Sequence, residues 1–101
     1  MDGIRQTTNA NTPAILTSAG TALASNPARI AWSIQNLGQN PLFVLRGNGA
    51  STTVFHTVLK AATSNDDGTG GSISEEAGTI YTGILTVAGT SPRFVVTEIA
   101  P

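Results

Sequence analysis

The sequence predicts an all-β domain, a compact antiparallel β-sandwich of the jelly-roll-like or immunoglobulin-like kind. Two observations support this fold class. Apolar and polar residues alternate in several short runs, the period of two that a half-buried strand shows. Gly, Asn and Pro turn signals separate these runs, and no helical pattern is longer than one turn. The 101 residues are enough for one domain with one core.

The N-terminal part of the chain is predicted to be an arm followed by weak strands. Residues 1–12, MDGIRQTTNANT, are rich in Thr, Asn and Gln and lack a sustained apolar period, which favours a flexible or extended arm. We therefore divide the chain into an arm over 1–12 and a single β-sandwich domain over 13–101. Residues 13–24 are expected to form two short edge strands divided near Gly20.

The strongest strand signal lies in residues 29–47, RIAWSIQNLGQNPLFVLRG. Ile30, Trp32 and Ile34 occupy alternate positions, so we expect them to share one buried face. Gly and Asn residues then form a turn signal, and Pro41 can stand only at the beginning of the next strand. The pattern predicts a β-hairpin with Trp32 in the core, on which the rest of the chain packs.

Three further strands are expected, over residues 53–60, 79–89 and 93–99. Residues 61–78 are polar and Gly-rich, and they are predicted to form a projecting loop that contributes nothing to fold stability. The strands at 53–60 and 93–99 carry hydrophobic residues on both faces. One sandwich core cannot bury all of them, so we expect a neighbouring subunit or loop to cover the remainder.

The charge content argues against several classes of partner. Five Lys and Arg stand against six Asp and Glu, so no basic excess favours nucleic acid or an anionic membrane. Charged residues make up 11% of the chain, against about 25% in typical soluble proteins. Such a surface suits a protein covered by neighbours. Without a signal peptide pattern or a long apolar run, we expect a soluble product.

Reactive and ligand-binding residues are few. His56 is the only histidine, and neither Cys nor a nucleophile motif accompanies it, so we expect no enzymatic activity, no catalytic residue and no cofactor. The Gly-rich run at 68–71 lacks the Lys and the helix of a phosphate loop. Possible Ca²⁺ ligands lie at Asn65, Asp66, Asp67, Glu75 and Glu76. Their spacing departs from the EF-hand pattern, and a solvated turn without metal is the simpler interpretation.

Carbohydrate binding is an alternative that the aromatic residues leave open. The aromatic side chains are Trp32, Phe43, Phe55, Tyr81 and Phe94. Trp32 and Tyr81 carry a polar group as well as a ring, and an exposed groove containing them would suit a sugar. On alternating strands, packing in the core is the simpler expectation. The exposure of Trp32 and Tyr81 distinguishes the two interpretations.

Several segments of the chain resemble small virion proteins of tailed bacteriophages. They are RIAWSIQNLGQNPLFV at 29–44, Gly49-Ala50-Ser51, Phe55-His56, DDGTGG at 66–71, and Tyr81-Thr82-Gly83. The resemblance implies a β-sandwich structural protein without active-site residues. It implies in particular a capsid decoration (cement) or head-fibre type of protein that binds the outside of a phage head, often as a trimer.

The same resemblance implies the partners and the location. The partners would be the major capsid protein and further copies of this chain, and the location would be the capsid surface of the virion after synthesis in the host cytoplasm. Head-tail adaptors and tail structural proteins have similar composition and remain alternatives. A carbohydrate-binding module of a tail fibre or adhesin is the other alternative.

Overall fold

The computed structural model describes residues 10–101, with side chains from residue 13 onward. These residues form eight β-strands and no helix. The strands are β1 (Ala10–Leu16), β2 (Gly20–Leu23), β3 (Ala31–Asn36), β4 (Leu42–Arg46), β5 (Thr57–Leu59), β6 (Ser72–Glu75), β7 (Leu85–Ala88) and β8 (Phe94–Ala100). The order β1-β8-β3-β6 makes sheet I, and the order β2-β7-β4-β5 makes sheet II. All pairs are antiparallel, so the predicted β-sandwich is confirmed.

The core lies between the two sheets and follows the period of two. Sheet I contributes alternate residues of β3 and β8, and sheet II contributes alternate residues of β4 and β7 together with the end of β5. The main buried side chains are Trp32, Ile34, Phe94, Val96, Leu42, Val44, Leu59, Leu85 and Val87. Trp32 is 1% exposed, which confirms its predicted place in the core. Ile30 does not share that face, because it precedes β3 and is 44% exposed.

The predicted hairpin over residues 29–47 is wrong, although both of its strands exist. β3 lies in sheet I and β4 in sheet II, so the connection crosses from one sheet to the other. Asn36 holds this arch, since its side-chain amide donates to the carbonyl oxygens of Asn40, Leu59 and Lys60. Its Oδ1 accepts the backbone N–H of Gly38. The hairpin of this region is formed instead by β4 and β5.

The N-terminal boundary also differs from the prediction. β1 begins at Ala10 and pairs with β8 along its whole length, so residues 10–12 belong to the sheet and not to an arm. Residues 1–9, the rest of the predicted arm, lie outside the described residues. β1 and β2 are edge strands of their sheets, as expected, and Gly20 begins β2 with a φ of 120°.

The predicted projecting loop at 61–78 is partly a strand of the sandwich. β6 pairs with β3 from Trp32↔Glu75 to Gln35↔Ser72 and forms the edge of sheet I. Gly70, just before β6, approaches β3 so closely that a Cβ atom there would overlap the carbonyl oxygen of Asn36. The segment therefore contributes to the fold, because despite its polar composition it supplies an edge strand that pairs with β3.

The other predicted strands exist in shortened form. The run at 53–60 is a strand only at β5, and the run at 79–89 only at β7, whereas the run at 93–99 corresponds closely to β8. Residues 47–56 form the loop that joins β4 to β5. Residues 53–56, the first part of the predicted strand at 53–60, therefore lie in this loop, and the sandwich does not enclose their side chains.

Candidate interaction surfaces

The charged side chains of the described chain are mostly used within the fold. Arg29 is 3% exposed, and its Nε donates to Glu98 Oε2 at 2.9 Å. Its two Nη atoms donate to the carbonyl oxygens of Tyr81, Gly83 and Ala24 at 2.7 to 3.0 Å. This arginine therefore ties the segments before β3 and β7 to β8. The sequence around Arg29 gives no sign of this role, because all of its partners except Ala24 are distant in sequence and three of the four are backbone atoms.

Glu75, which the sequence offered as a possible Ca²⁺ ligand, has a structural role within the fold. Its Oε1 accepts the indole N–H of Trp32 at 2.7 Å and the backbone N–H of Tyr81 at 2.8 Å. Its Oε2 accepts Arg46 Nε at 2.8 Å, and the Arg46 guanidinium lies 5.7 Å from the centre of the Trp32 ring. Burial raises the pKa of Glu75, but the bonds from Tyr81, Trp32 and Arg46 outweigh it and lower the pKa.

The two aspartates of the polar segment also have partners within the chain. Asp66 binds the guanidinium of Arg93 through two hydrogen bonds of 2.7 Å, and this contact lowers the pKa of Asp66. Asp67 accepts bonds from Thr69 and from the backbone N–H of Ser64, which closes a turn. Asp66, Asp67 and Glu75, which we considered as possible Ca²⁺ ligands, thus each bind a different group of the chain itself. Among the residues that the structure describes, no group of three or more His, Asp or Glu is placed to hold a metal ion.

His56 is exposed and serves the β4–β5 hairpin. Its Nδ1 accepts the backbone N–H of Arg46 at 3.1 Å, and its own backbone N–H donates to the carbonyl oxygen of Val44. Within residues 13–101, the ring makes no hydrogen bond to a hydroxyl or a carboxylate. These two hydrogen bonds connect His56 to β4 and so close the loop at 47–56.

The aromatic residues do not form the groove expected of a sugar site. Trp32 is buried and its N–H is donated to Glu75, while Tyr81 is half-buried and packs against the core. Phe94 is completely buried. Phe43 and Phe55 are the aromatic pair nearest the surface, with ring centres 5.0 Å apart and ring planes at 60°. Neither of these two rings carries a polar group.

An apolar surface lies around this phenylalanine pair on the outer side of sheet II. Phe55 is 38% exposed, Val54 is 51% exposed and Val58, the cross-strand partner of Phe43, is 44% exposed. We call Phe43, Val54, Phe55 and Val58 the aromatic patch. Val54, Phe55 and Val58 belong to the run at 53–60 whose two hydrophobic faces led us to expect a covering neighbour. The structure leaves them accessible to such a neighbour.

A second surface is the outer face of sheet I, which carries small and uncharged side chains. It consists of Pro13, Ile15, Ala31, Ser33, Gln35, Ser72, Ser74, Val95, Thr97 and Ile99. Two shallow hollows of about 140 and 290 Å³ lie on this face, and Glu76 at the rim is their one charged lining residue. We call this surface the flat face.

Comparison of the chain with protein-family models, curated proteins and solved structures finds no match. No helix in residues 10–101 is long and apolar enough to cross a membrane. The fold and the surfaces together define the class of this protein as an antiparallel β-sandwich with two uncharged surfaces on opposite sides.

Proposed function

We propose that this protein is a virion structural protein, a capsid decoration or cement protein. It binds the outer surface of a phage head and stabilises that head by contacts between proteins. The observation that carries the proposal is the aromatic patch. A chain that completes its own core still leaves Val54, Phe55 and Val58 exposed beside Phe43. The resemblance to small phage virion proteins supplies the kind of partner.

The distribution of charge supports a role in assembly. Cores of protein interfaces are depleted in charged residues and enriched in aromatic ones. Here the three ion pairs of the described residues join Arg29 to Glu98, Arg46 to Glu75 and Arg93 to Asp66. Most of the charge therefore stabilises the sandwich itself. The surfaces left for partners are uncharged, which argues against nucleic acid and anionic membranes as partners.

The two surfaces suit two kinds of protein partner. The aromatic patch is a compact apolar surface on the β4–β5 hairpin, so it is suited to pack against an apolar site on the major capsid protein, where aromatic anchors contribute most of the binding energy. The flat face is a broad sheet surface, and sheets pack face to face in this way. We assign the flat face to association with further copies of this chain, which in a decoration protein form a trimer.

Burial of Trp32 argues against the alternative of a carbohydrate-binding module. The ring best suited to stack on a sugar is 1% exposed and its N–H is already bonded. The remaining exposed aromatic pair offers no polar group to orient a hydroxyl-rich ligand. Head-tail adaptors and tail structural proteins use the same chemistry as a decoration protein, and they differ in which virion protein they contact.

Co-sedimentation with empty heads of the parent phage tests the proposal. The test variant is Phe55→Ser, and the matched control is Ile30→Thr, which changes an exposed apolar residue outside both the aromatic patch and the flat face. Loss of an interface anchor costs more than about 1.4 kcal/mol, so we expect Phe55→Ser to weaken head binding about tenfold or more. Ile30→Thr should bind heads normally. Thermal melting of each variant checks that the fold is retained.

Two results would contradict the proposal. One is a protein that does not sediment with heads at any concentration while it binds glycans. The other is unchanged head binding in Phe55→Ser and in a second patch variant, Val58→Ser.

A further inference from the structure

We propose that Asn48 is a site of spontaneous deamidation, which proceeds through a succinimide formed with Gly49. The backbone nitrogen of Gly49 attacks Cγ of Asn48, the Cγ–Nδ2 bond breaks, and the side-chain nitrogen leaves as ammonia with the proton of the Gly49 N–H. Water then opens the five-membered imide at either carbonyl carbon. The products are aspartate and isoaspartate at position 48, and the reaction needs no reagent besides water.

The Asn48–Gly49 pair is exposed near the beginning of the loop that joins β4 to β5. Gly49 has a φ of 88°, and a Cβ atom built there would meet no atom within 4 Å, so the space beside its Cα is open. Within the described residues, the Gly49 N–H is not donated to any acceptor. Glycine also places no side chain beside the reacting nitrogen, and its backbone is the freest of all residues. Both reacting groups are therefore accessible.

The neighbouring residues hold the loop on either side of this pair. Thr86, which is 3% exposed, donates its hydroxyl to the carbonyl oxygen of Gly47 at 2.7 Å. The same hydroxyl accepts the backbone N–H of Ala50 at 3.1 Å. One buried threonine thus anchors both ends of the Asn48–Gly49 segment. The two residues between the anchors are exposed to solvent and belong to no strand.

Two other asparagines of the described side chains are protected by the residue that follows them. Asn26 and Asn40 precede proline, which has no N–H to attack a side-chain amide. Chemistry therefore excludes them, whatever their exposure.

The remaining two are protected by hydrogen bonds. The amide of Asn36 is buried and bonded to three carbonyl oxygens, and the following N–H, of Leu37, donates to Arg93 O at 2.8 Å. Asn65 is exposed, but the N–H of Asp66 donates to Leu37 O at 2.9 Å. In both places the nitrogen that would attack is already engaged.

Asp67–Gly68 is an internal comparison, because it has the same following residue and also lies in an exposed turn. The carboxylate of Asp67 accepts bonds from Thr69 and Ser64, and those from Thr69 are the main cause of its lowered pKa. An anionic carboxylate held by three donors is a poor target for attack. Asp67 should therefore persist as a normal aspartate while Asn48 reacts.

The reaction would add one negative charge to the loop that also carries Val54 and Phe55. The formal net charge of the chain is −1, so the change is large relative to the total. If the aromatic patch docks on a capsid, as proposed above, aged protein should bind heads more weakly than fresh protein. This consequence depends on the proposed function, whereas the modification itself does not.

Mass spectrometry of the purified full-length protein, incubated in its folded state at mildly alkaline pH, tests the proposal. We expect a mass gain of about 1 Da that peptide mapping places at position 48, with isoaspartate detected by its enzymatic methylation. The rate at Asn48 in folded protein should lie within about tenfold of the rate in urea-unfolded protein, because the loop does not need to unfold. The Asn48→Ser variant is the matched control and should show no gain.

Preservation of Asn48 in the folded protein under conditions that convert it in urea would overturn the proposal. Earlier conversion of Asn65 or Asn36 would also overturn it. Neither result involves phage heads, so failure here is separate from failure of the proposed function.

Discussion

Three polar side chains, Arg29, Asn36 and Glu75, each join segments of the chain that are distant in sequence. Arg29 connects to β8 and the segment before β7, Asn36 connects the two sheets, and Glu75 connects β6 to β3 and β4. Within the described residues, every buried side-chain nitrogen or oxygen has a hydrogen-bond partner. Buried polar groups with complete hydrogen bonding favour one arrangement of the strands, because another arrangement would leave these groups without partners in the core.

Replacement of Trp32 by Ala should destabilise the domain by about 3 to 5 kcal/mol, since it leaves a cavity and removes a donor to Glu75. Trp32→Phe keeps much of the ring volume and loses the N–H, so it should cost less, about 1 to 3 kcal/mol. Urea unfolding curves of the three proteins provide the measurement. A loss below about 1 kcal/mol for Trp32→Ala would contradict the buried position of this residue.

Glu75 should make the protein sensitive to acid. Its pKa in the folded protein lies below the ordinary value of 4.5, so its contribution to stability is complete above that pH and is lost as the pH falls through the lower folded value. The difference in unfolding free energy between wild type and Glu75→Gln should therefore shrink below that pH. Denaturant unfolding across the acid range measures it, and Glu76→Gln, at the exposed neighbouring carboxylate, is the control. A constant difference would count against the proposed role of Glu75.

At the scale of the strands, the two connections around β4 show why pairing is difficult to predict. The segment before β4 crosses between sheets, whereas the segment after it forms a hairpin with β5. Both connections contain Gly and Asn, which favour any tight change of direction. The difference lies in Asn36, whose amide bonds hold the first connection in the arch. A turn signal indicates where a strand ends but not which strand lies beside it.

Gly70→Ala should destabilise the domain by about 1 to 3 kcal/mol or more, because its Cβ would overlap the carbonyl oxygen of Asn36 and force β6 away from β3. Thermal or urea unfolding measures the change. Ser74→Ala is the control, since it alters an exposed side chain of β6 and should stay within about 0.5 kcal/mol of wild type. Equal unfolding free energies of the two variants would show that the close approach at Gly70 contributes nothing to stability.

At the scale of the whole molecule, the two surfaces that we propose as binding sites lie on opposite sides of the sandwich. The flat face belongs to sheet I and the aromatic patch to sheet II and its hairpin loop. A protein that binds a shell and its own copies needs two such surfaces. Since neither carries several charges, association should depend mainly on burial of apolar area, and stable interfaces of this type commonly bury over about 2,000 Å² in total.

The oligomer that we propose for this chain should therefore persist from low to high ionic strength, because few charges are present to be screened. Light scattering of the purified protein across a salt series measures its mass. Ile15→Thr and Val95→Thr, both on the flat face, should lower that mass, whereas Phe55→Ser should leave it unchanged. Dissociation by salt alone would indicate ion-pair association and contradict the assignment. The same measurement on the protein without residues 1–9 tests whether this part of the predicted arm takes part in assembly, and a lower mass would show that it does.

The sequence by itself determined the fold class, the position of Trp32 and most strand segments, because the alternation of apolar residues follows directly from strand geometry. It also indicated, through the two-faced run at 53–60, that some hydrophobic side chains would remain outside the core of the sandwich. These are local properties, since each depends on residues a few positions apart.

Only the tertiary structure decided which strands pair and which polar residues are buried. β6 was missed because SISE has a weak apolar pattern, and its place depends on β3 and on the close approach at Gly70. Arg29 and Glu75 gave no local signal, because most of their partners are distant in sequence. The partners of Arg29 lie 52 to 69 residues away, apart from Ala24. Glu75 bonds to Trp32 and Arg46, which lie 43 and 29 residues away, as well as to the nearby Tyr81. Contacts of this length depend on how the whole chain packs, and short-range periodicity carries no information about them.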